Sequence, residues 1–123
     1  MRLPAAKAPW KWQVVRADFE PVRGSEQAGV RSALIISSEA VNAALPVVTV
    51  LPLTSRKSNR RIYPAEALLP AGTAGLPRES VALAYQIRTI SKDRLLGSYG
   101  YLDEDETREL VRQALRIQLD LLD

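Results

Sequence analysis

The sequence predicts a mainly β (α+β) protein: a small antiparallel sheet or barrel capped by one C-terminal helix. Three observations point there. Short apolar or alternating runs recur along the chain, separated by Gly and Pro turns. Only the last stretch repeats its apolar residues at a helical period. The length of 123 residues, 46% hydrophobic and 25% charged, suits one globular domain rather than a disordered or collagen-like chain.

Residues 1–12, with Pro4, Pro9 and two tryptophans, read as a flexible N-terminal arm, and residues 13–123 as the single domain. From Gln13 to Glu20 the pattern alternates. Val15, Ala17 and Phe19 share one face and Val14, Arg16, Asp18 and Glu20 the other, as in a half-buried strand. Pro21, Arg23, Gly24 and Ser25 open a long polar loop that runs to about Val30. Ser32 to Ser37 is apolar on both faces and reads as a central strand. Glu39 to Leu45 is a short helical turn or loop, and Val47 to Leu53 a second two-faced strand. Pro52 donates no hydrogen bond, which predicts an edge or a bulge at that end.

Residues 56–61 form a basic loop, and Ala65 to Leu69 a short strand. Ser80 to Ile90 alternates as one strand, and Leu95 to Leu102 makes a last short one. In the closing helix Asp103 and Glu106 have capping-box spacing, and the acidic first turn suits the helix dipole. Leu110, Ala114, Ile117 and Leu121 give its apolar stripe. Arg108, Arg112 and Arg116 line a second stripe that Glu104 and Asp120 can pair at i,i+4.

With no Cys and no His, the chain lacks disulfides, thiolate chemistry, Cys or His zinc sites and any imidazole mechanism. The 17 bases outnumber 14 acids, for a net charge of +3. Residues 103–123 alone carry −4, which leaves +7 on the rest, a basic body suited to a polyanion. The N-terminus has no signal-peptide core, and the run Ala43–Leu53 is far short of the roughly 20 residues of a spanning helix. A cytoplasmic protein without membrane contact is expected.

If the strands at 32–37 and 47–53 pair antiparallel, Arg31 and Thr54 emerge at one end of the sheet, flanked by the loops 21–30 and 55–63. Glu26, Ser55, Arg56, Lys57, Arg60 and Arg61 gather there, and no acid lies between Glu39 and Glu66. Guanidinium forks match phosphate oxygens, so this end is suited to a nucleic-acid backbone. Each residue taken alone also has a plain structural explanation, as an ion-pair partner, a turn former or a solvated charge. The reading rests on their convergence.

The run Ala17-Asp18-Phe19-Glu20-Pro21-Val22-Arg23-Gly24-Ser25-Glu26-Gln27-Ala28-Gly29-Val30-Arg31 closely resembles the signature of the MazF/PemK-type toxins of bacterial toxin–antitoxin systems. Val50 to Ser55, Arg78 to Leu83 and Gln86 to Ile90 resemble the same family, in the same order. The resemblance implies an SH3-like antiparallel barrel with short helices and a C-terminal helix. It also implies a homodimer that cuts single-stranded RNA without metal or cofactor and is silenced by a cognate antitoxin. The family's principal active residues fall on Arg31 and Thr54, and its signature Glu falls on Glu26. RNA contacts are expected from Ser25, Ser55, Arg56, Lys57, Arg60, Arg61, Gln86 and Arg88.

The family pattern is not followed everywhere. Ser32 replaces a Pro, Trp12-Gln13 replaces Gly-Asp and Arg16 replaces an aromatic residue. These changes leave the catalytic positions intact and bear on loop geometry, base stacking and sequence preference.

Cleaving RNA through its own 2′-hydroxyl needs a base, charge stabilisation at phosphorus and a donor for the leaving oxygen. With a pKa above roughly 12, Arg31 suits charge stabilisation rather than proton removal. Thr54 then bonds a phosphate oxygen or the 2′-hydroxyl, and Glu26 is the candidate base. Two other classes remain open: a toxin of this fold type that inhibits a protein, and a non-catalytic RNA-binding module.

Overall fold

Val14 and Val15 are neighbours on opposite faces of a strand, yet both are fully buried in the computed structural model, which describes residues 2–19 and 29–121. The one-sided burial expected of this strand is therefore corrected: the sheet has a core on each face. Val14, Leu34, Leu51 and Leu53 belong to the larger core, with Trp12, Leu69, Leu102, Val111 and Ala114. Val15, Ala17, Phe19, Ala33, Ile35, Val48, Val50 and Ile90 form the smaller one, with Ala6, Trp10 and Leu95 packed against it.

The strands are β1 (Gln13–Asp18), β2 (Val30–Ile35), β3 (Val47–Ser55), β4 (Glu66–Leu69), β5 (Ser80–Leu83), β6 (Arg88–Ser91) and β7 (Leu95–Tyr101). The helices are α1 (Glu39–Ala44) and α2 (Asp105–Leu119). All pairings are antiparallel, in the order β4-β5-β3-β2-β1-β7, with β6 also on β3. The mainly β class holds, and β2 is central as its two-faced apolar pattern requires. Among the described residues, the seven-stranded sheet is not closed by pairing between β4 and β7.

Pro52 lies not at an edge but mid-sheet, buried and opposite Ala33. On its other side β3 pairs β6 through Val50 and β5 from Leu53, so the proline falls at the changeover, where that edge makes no ladder bond. The same changeover divides the continuous strand expected over 80–90. A 3₁₀ turn at Ala84–Gln86 separates β5 from β6, and the register against β3 slips by three residues between them.

Helix α2 also corrects its reading. Its N-cap is Glu104, without a side-chain cap bond, so the Asp103–Glu106 capping box does not form. The buried face is Thr107, Val111 and Ala114, while Leu110, Ile117 and Leu121 are 43%, 52% and 61% exposed. The reason is Trp12. The guanidinium groups of Arg108 and Arg112 each lie 5.2 Å from its ring, which turns the helix one residue from the apolar periodicity. Arg112 and Arg116 pair with Glu109, at 3.6 and 2.9 Å, rather than with Glu104 or Asp120.

Trp12 has a positive φ of 70°, and it stands where the family pattern has Gly. Gln13, in place of Asp, donates through Nε2 to the carbonyls of Lys7 and Pro9 at 2.8 and 3.1 Å. The preceding residues follow the sheet. The Ser98 amide donates to the Pro4 carbonyl at 2.7 Å, and a Cβ at Gly97 would come within 2.7 Å of the Leu3 Cβ. The Glu39 carboxylate accepts the amides of Trp10 and Lys11 at 2.9 Å. Burial alone would raise the Glu39 pKa, but these amides outweigh it and hold the carboxyl below its ordinary value.

Candidate active site at one end of the sheet

The β2–β3 register runs Ile35↔Val50, Leu34↔Leu51 and Ala33↔Pro52. Arg31 and Thr54 each stand two residues beyond its last pair, Ala33 and Pro52, at the same end of the sheet. Alternation places both on the face of Ala33 and Val50, at the open end of the smaller core. Arg31 is exposed and paired in the ladder with Ala17; Thr54 is half-buried and paired with Val81. Two residues that lie apart in the chain thus come out together, as antiparallel pairing requires.

Arg88 joins this face from β6, opposite Val50, and its guanidinium lies 5.1 Å from the Phe19 ring. Phe19 follows directly on Asp18, which pairs with Val30 at the start of β2. A cation is thereby directed toward the end that holds Arg31. Gln86 lies half-buried in the turn just before β6. Ser25 and Glu26 lie outside the described residues. Ser55 is exposed and pairs with Ser80, on the sheet face opposite Thr54.

The basic loop is not uniform. Arg60 forms a bidentate pair with Glu66, at 2.8 and 2.7 Å, and the Glu66 side chain is only 2% exposed. Glu66 also accepts the Tyr63 amide at 3.0 Å. The Arg60 guanidinium holds the Glu66 carboxyl below its ordinary value, against the opposing effect of burial, and is itself raised by that bond. Arg56 donates to the Arg60 carbonyl at 2.8 Å and to Glu79 at 3.2 Å. Lys57 and Arg61 are the bases of this loop that stand exposed.

Glu66 and Glu79 were missing from the sequence-based site. Their signal was an acid at each start of the strand pair that closes the loop. Among the described residues, no three His, Cys, Asp or Glu side chains gather as metal ligands do.

Residues 11–119 match the family model described as PemK-like, MazF-like toxin of type II toxin–antitoxin systems. The chain is 39% identical over 115 residues to the endoribonuclease MazF9 of Mycobacterium tuberculosis, covering 89% of this chain and 92% of that protein. It is 40% identical over 107 residues to the endoribonuclease EndoA of Bacillus subtilis, covering 87% and 90%. A solved mycobacterial endoribonuclease in complex with its cognate antitoxin superposes with a TM-score of 0.76 at 26% identity, over 94% of this chain and 99% of that one.

Proposed function

Since the chain belongs to the PemK-like, MazF-like toxin family of type II toxin–antitoxin systems, we propose that it is the toxin of such a pair, an endoribonuclease that cuts single-stranded RNA. Its relatives MazF9 and EndoA are named endoribonucleases, which supports the activity. The observation that supports the chemistry is the β2–β3 register, whose last pair, Ala33 and Pro52, stands two residues from Arg31 and from Thr54.

In this reading the 2′-hydroxyl attacks the adjacent phosphorus. The bond to the 5′-oxygen of the next nucleotide breaks, leaving a 2′,3′-cyclic phosphate and a 5′-hydroxyl. Arg31 stabilises the charge on the pentavalent phosphorus, which a permanently protonated guanidinium does at any working pH. Thr54 donates to a phosphate oxygen or holds the 2′-hydroxyl for attack. Glu26 takes the 2′ proton as base, and the departing 5′-oxygen takes up a proton from water to leave as the hydroxyl. No metal or cofactor is used. Arg88 and Gln86 position the strand from the β6 side, Ser25 and Ser55 contact the RNA, and the loop contributes charge. Within that loop Lys57 and Arg61 reach the phosphates, while Arg56 and Arg60 also hold the loop through Glu79 and Glu66.

A cognate antitoxin as partner is supported by the solved mycobacterial complex. A cytoplasmic homodimer completes the proposal, and no helix among the described residues is long and apolar enough to cross a membrane.

The test is to map cut ends on a long RNA with chelator present, wild type beside Thr54→Ala. Discrete cuts bearing cyclic phosphate, lost in Thr54→Ala and blocked by a 2′-deoxy residue at the cut site, are the expected outcome. Cleavage of the deoxy substrate would overturn the mechanism. Toxicity that survives Arg31→Ala would point to a protein target instead.

A further inference from the structure

Arg16 and Ser32 face each other across the β1–β2 ladder. Both depart from the family pattern, and both lie on the sheet face opposite Arg31 and Thr54. They line a cleft of about 410 Å³ together with Ser55, Arg78, Ser80 and Tyr99. The cleft continues past Arg16 and Tyr99 into one of about 860 Å³ that ends against Leu3 and Pro4. Ser32 adjoins Arg31 in sequence and Ser55 adjoins Thr54. The cleft therefore reaches the sequence neighbours of both proposed catalytic residues, on the other face of the same sheet end.

Its chemistry favours an anion. Among the described residues, no carboxylate lines either part. Arg16 and Arg78 are exposed, and among the described residues neither guanidinium has a hydrogen-bond or ion-pair partner. The Ser80 hydroxyl donates to the Arg78 carbonyl at 3.2 Å, which fixes the backbone that presents Arg78. Tyr99 adds a half-buried ring, and Ser32 and Ser55 add hydroxyls that both donate and accept. Two unengaged guanidinium forks, hydroxyls and an aromatic face are the groups that hold a single-stranded phosphodiester and stack a base.

We infer that this cleft binds the RNA that flanks the cut, with the strand passing over the sheet end from Arg31 and Thr54 to Arg16, Arg78 and Tyr99. The inference rests on the proposed ribonuclease activity and deepens it. Arg16 and Arg78 then set affinity and footprint without touching the reacting phosphorus.

Cleavage kinetics on a long RNA across a salt series test this, with Arg16→Ala, Arg78→Ala and their double variant. Melting temperature serves as the folding control, and Arg116→Gln on α2 serves as the charge-matched control. KM should rise several-fold for each cleft variant, and most for the double. The slope of log KM against log salt should fall by about 0.7 for each phosphate contact removed. The loss should fall on KM rather than kcat, and Arg116→Gln should match wild type. Cleft variants with wild-type KM and salt slope, in a preparation whose wild type cuts RNA, would overturn the inference. So would unchanged RNA kinetics accompanied by weakened antitoxin binding, which would give the cleft to the antitoxin. A wild type that cuts no RNA would bring down the proposed function, and this inference with it.

Discussion

The loop at residues 56–61 and the sheet end around Arg31 are both rich in base, and they differ in what their guanidinium groups face. In the loop, Arg60 closes on the buried Glu66 and Arg56 on Glu79. At the sheet end, Arg88 is directed over Phe19, and Arg16 and Arg78 open on a cleft that no carboxylate among the described residues lines. Charge density along a sequence is thus a poor measure of charge offered to a ligand. A guanidinium held in a bidentate pair must give up that partner before it can grip a phosphate.

The sharpest break of this contrast comes from the catalytic pair. Arg31→Ala and Thr54→Ala should each lower single-turnover cleavage by roughly 10²–10³, the usual scale for removing a transition-state donor. A loss below tenfold in both would dismiss the pair from the chemistry. Next in size is Glu66→Gln, which strips Arg60 of its partner. Folding stability should fall by roughly 1–3 kcal/mol, measured as a shift in urea midpoint at pH 7. An unchanged midpoint would mean that Arg60 is not committed to Glu66 in solution.

The pH dependence sharpens the same point. The folded carboxyl of Glu66 lies below its ordinary value of 4.5, so its contribution is complete above that pH. It is lost as the pH falls through the lowered folded value. The gap in urea midpoint between wild type and Glu66→Gln should be full at neutral pH and narrow in acid. A gap that widened in acid would reverse the assignment. The smallest effect belongs to the exposed pair of the loop. Lys57→Ala and Arg61→Ala should each raise KM modestly and reduce its salt slope by about 0.7.

Much of the sheet was legible because each clue was local. Two-faced apolar runs marked β2 and β3 as interior, and antiparallel geometry alone brought Arg31 to the end that holds Thr54. Pro52 was read correctly as a break in hydrogen bonding but misplaced at an edge, since its neighbours on the far side come from two different strands. The helix stripe failed for a related reason. Leu110, Ala114, Ile117 and Leu121 keep perfect period, yet of these Ala114 alone is buried, because Trp12, far away in the chain, selected the face that holds Thr107, Val111 and Ala114.

The amino-acid order by itself determined the family, the mainly β class, the closing helix and the likeness of Arg31 and Thr54 to a catalytic pair. These follow from motif and periodicity, which are properties of neighbouring residues. Tertiary structure alone decided that β1 is buried on both faces, that Arg60 is bound to Glu66, and that Arg16 and Arg78 share one cleft. Those outcomes depend on contacts between distant segments. A guanidinium has the same charge wherever it stands in the chain, and only the fold chooses whether it meets a carboxylate or water.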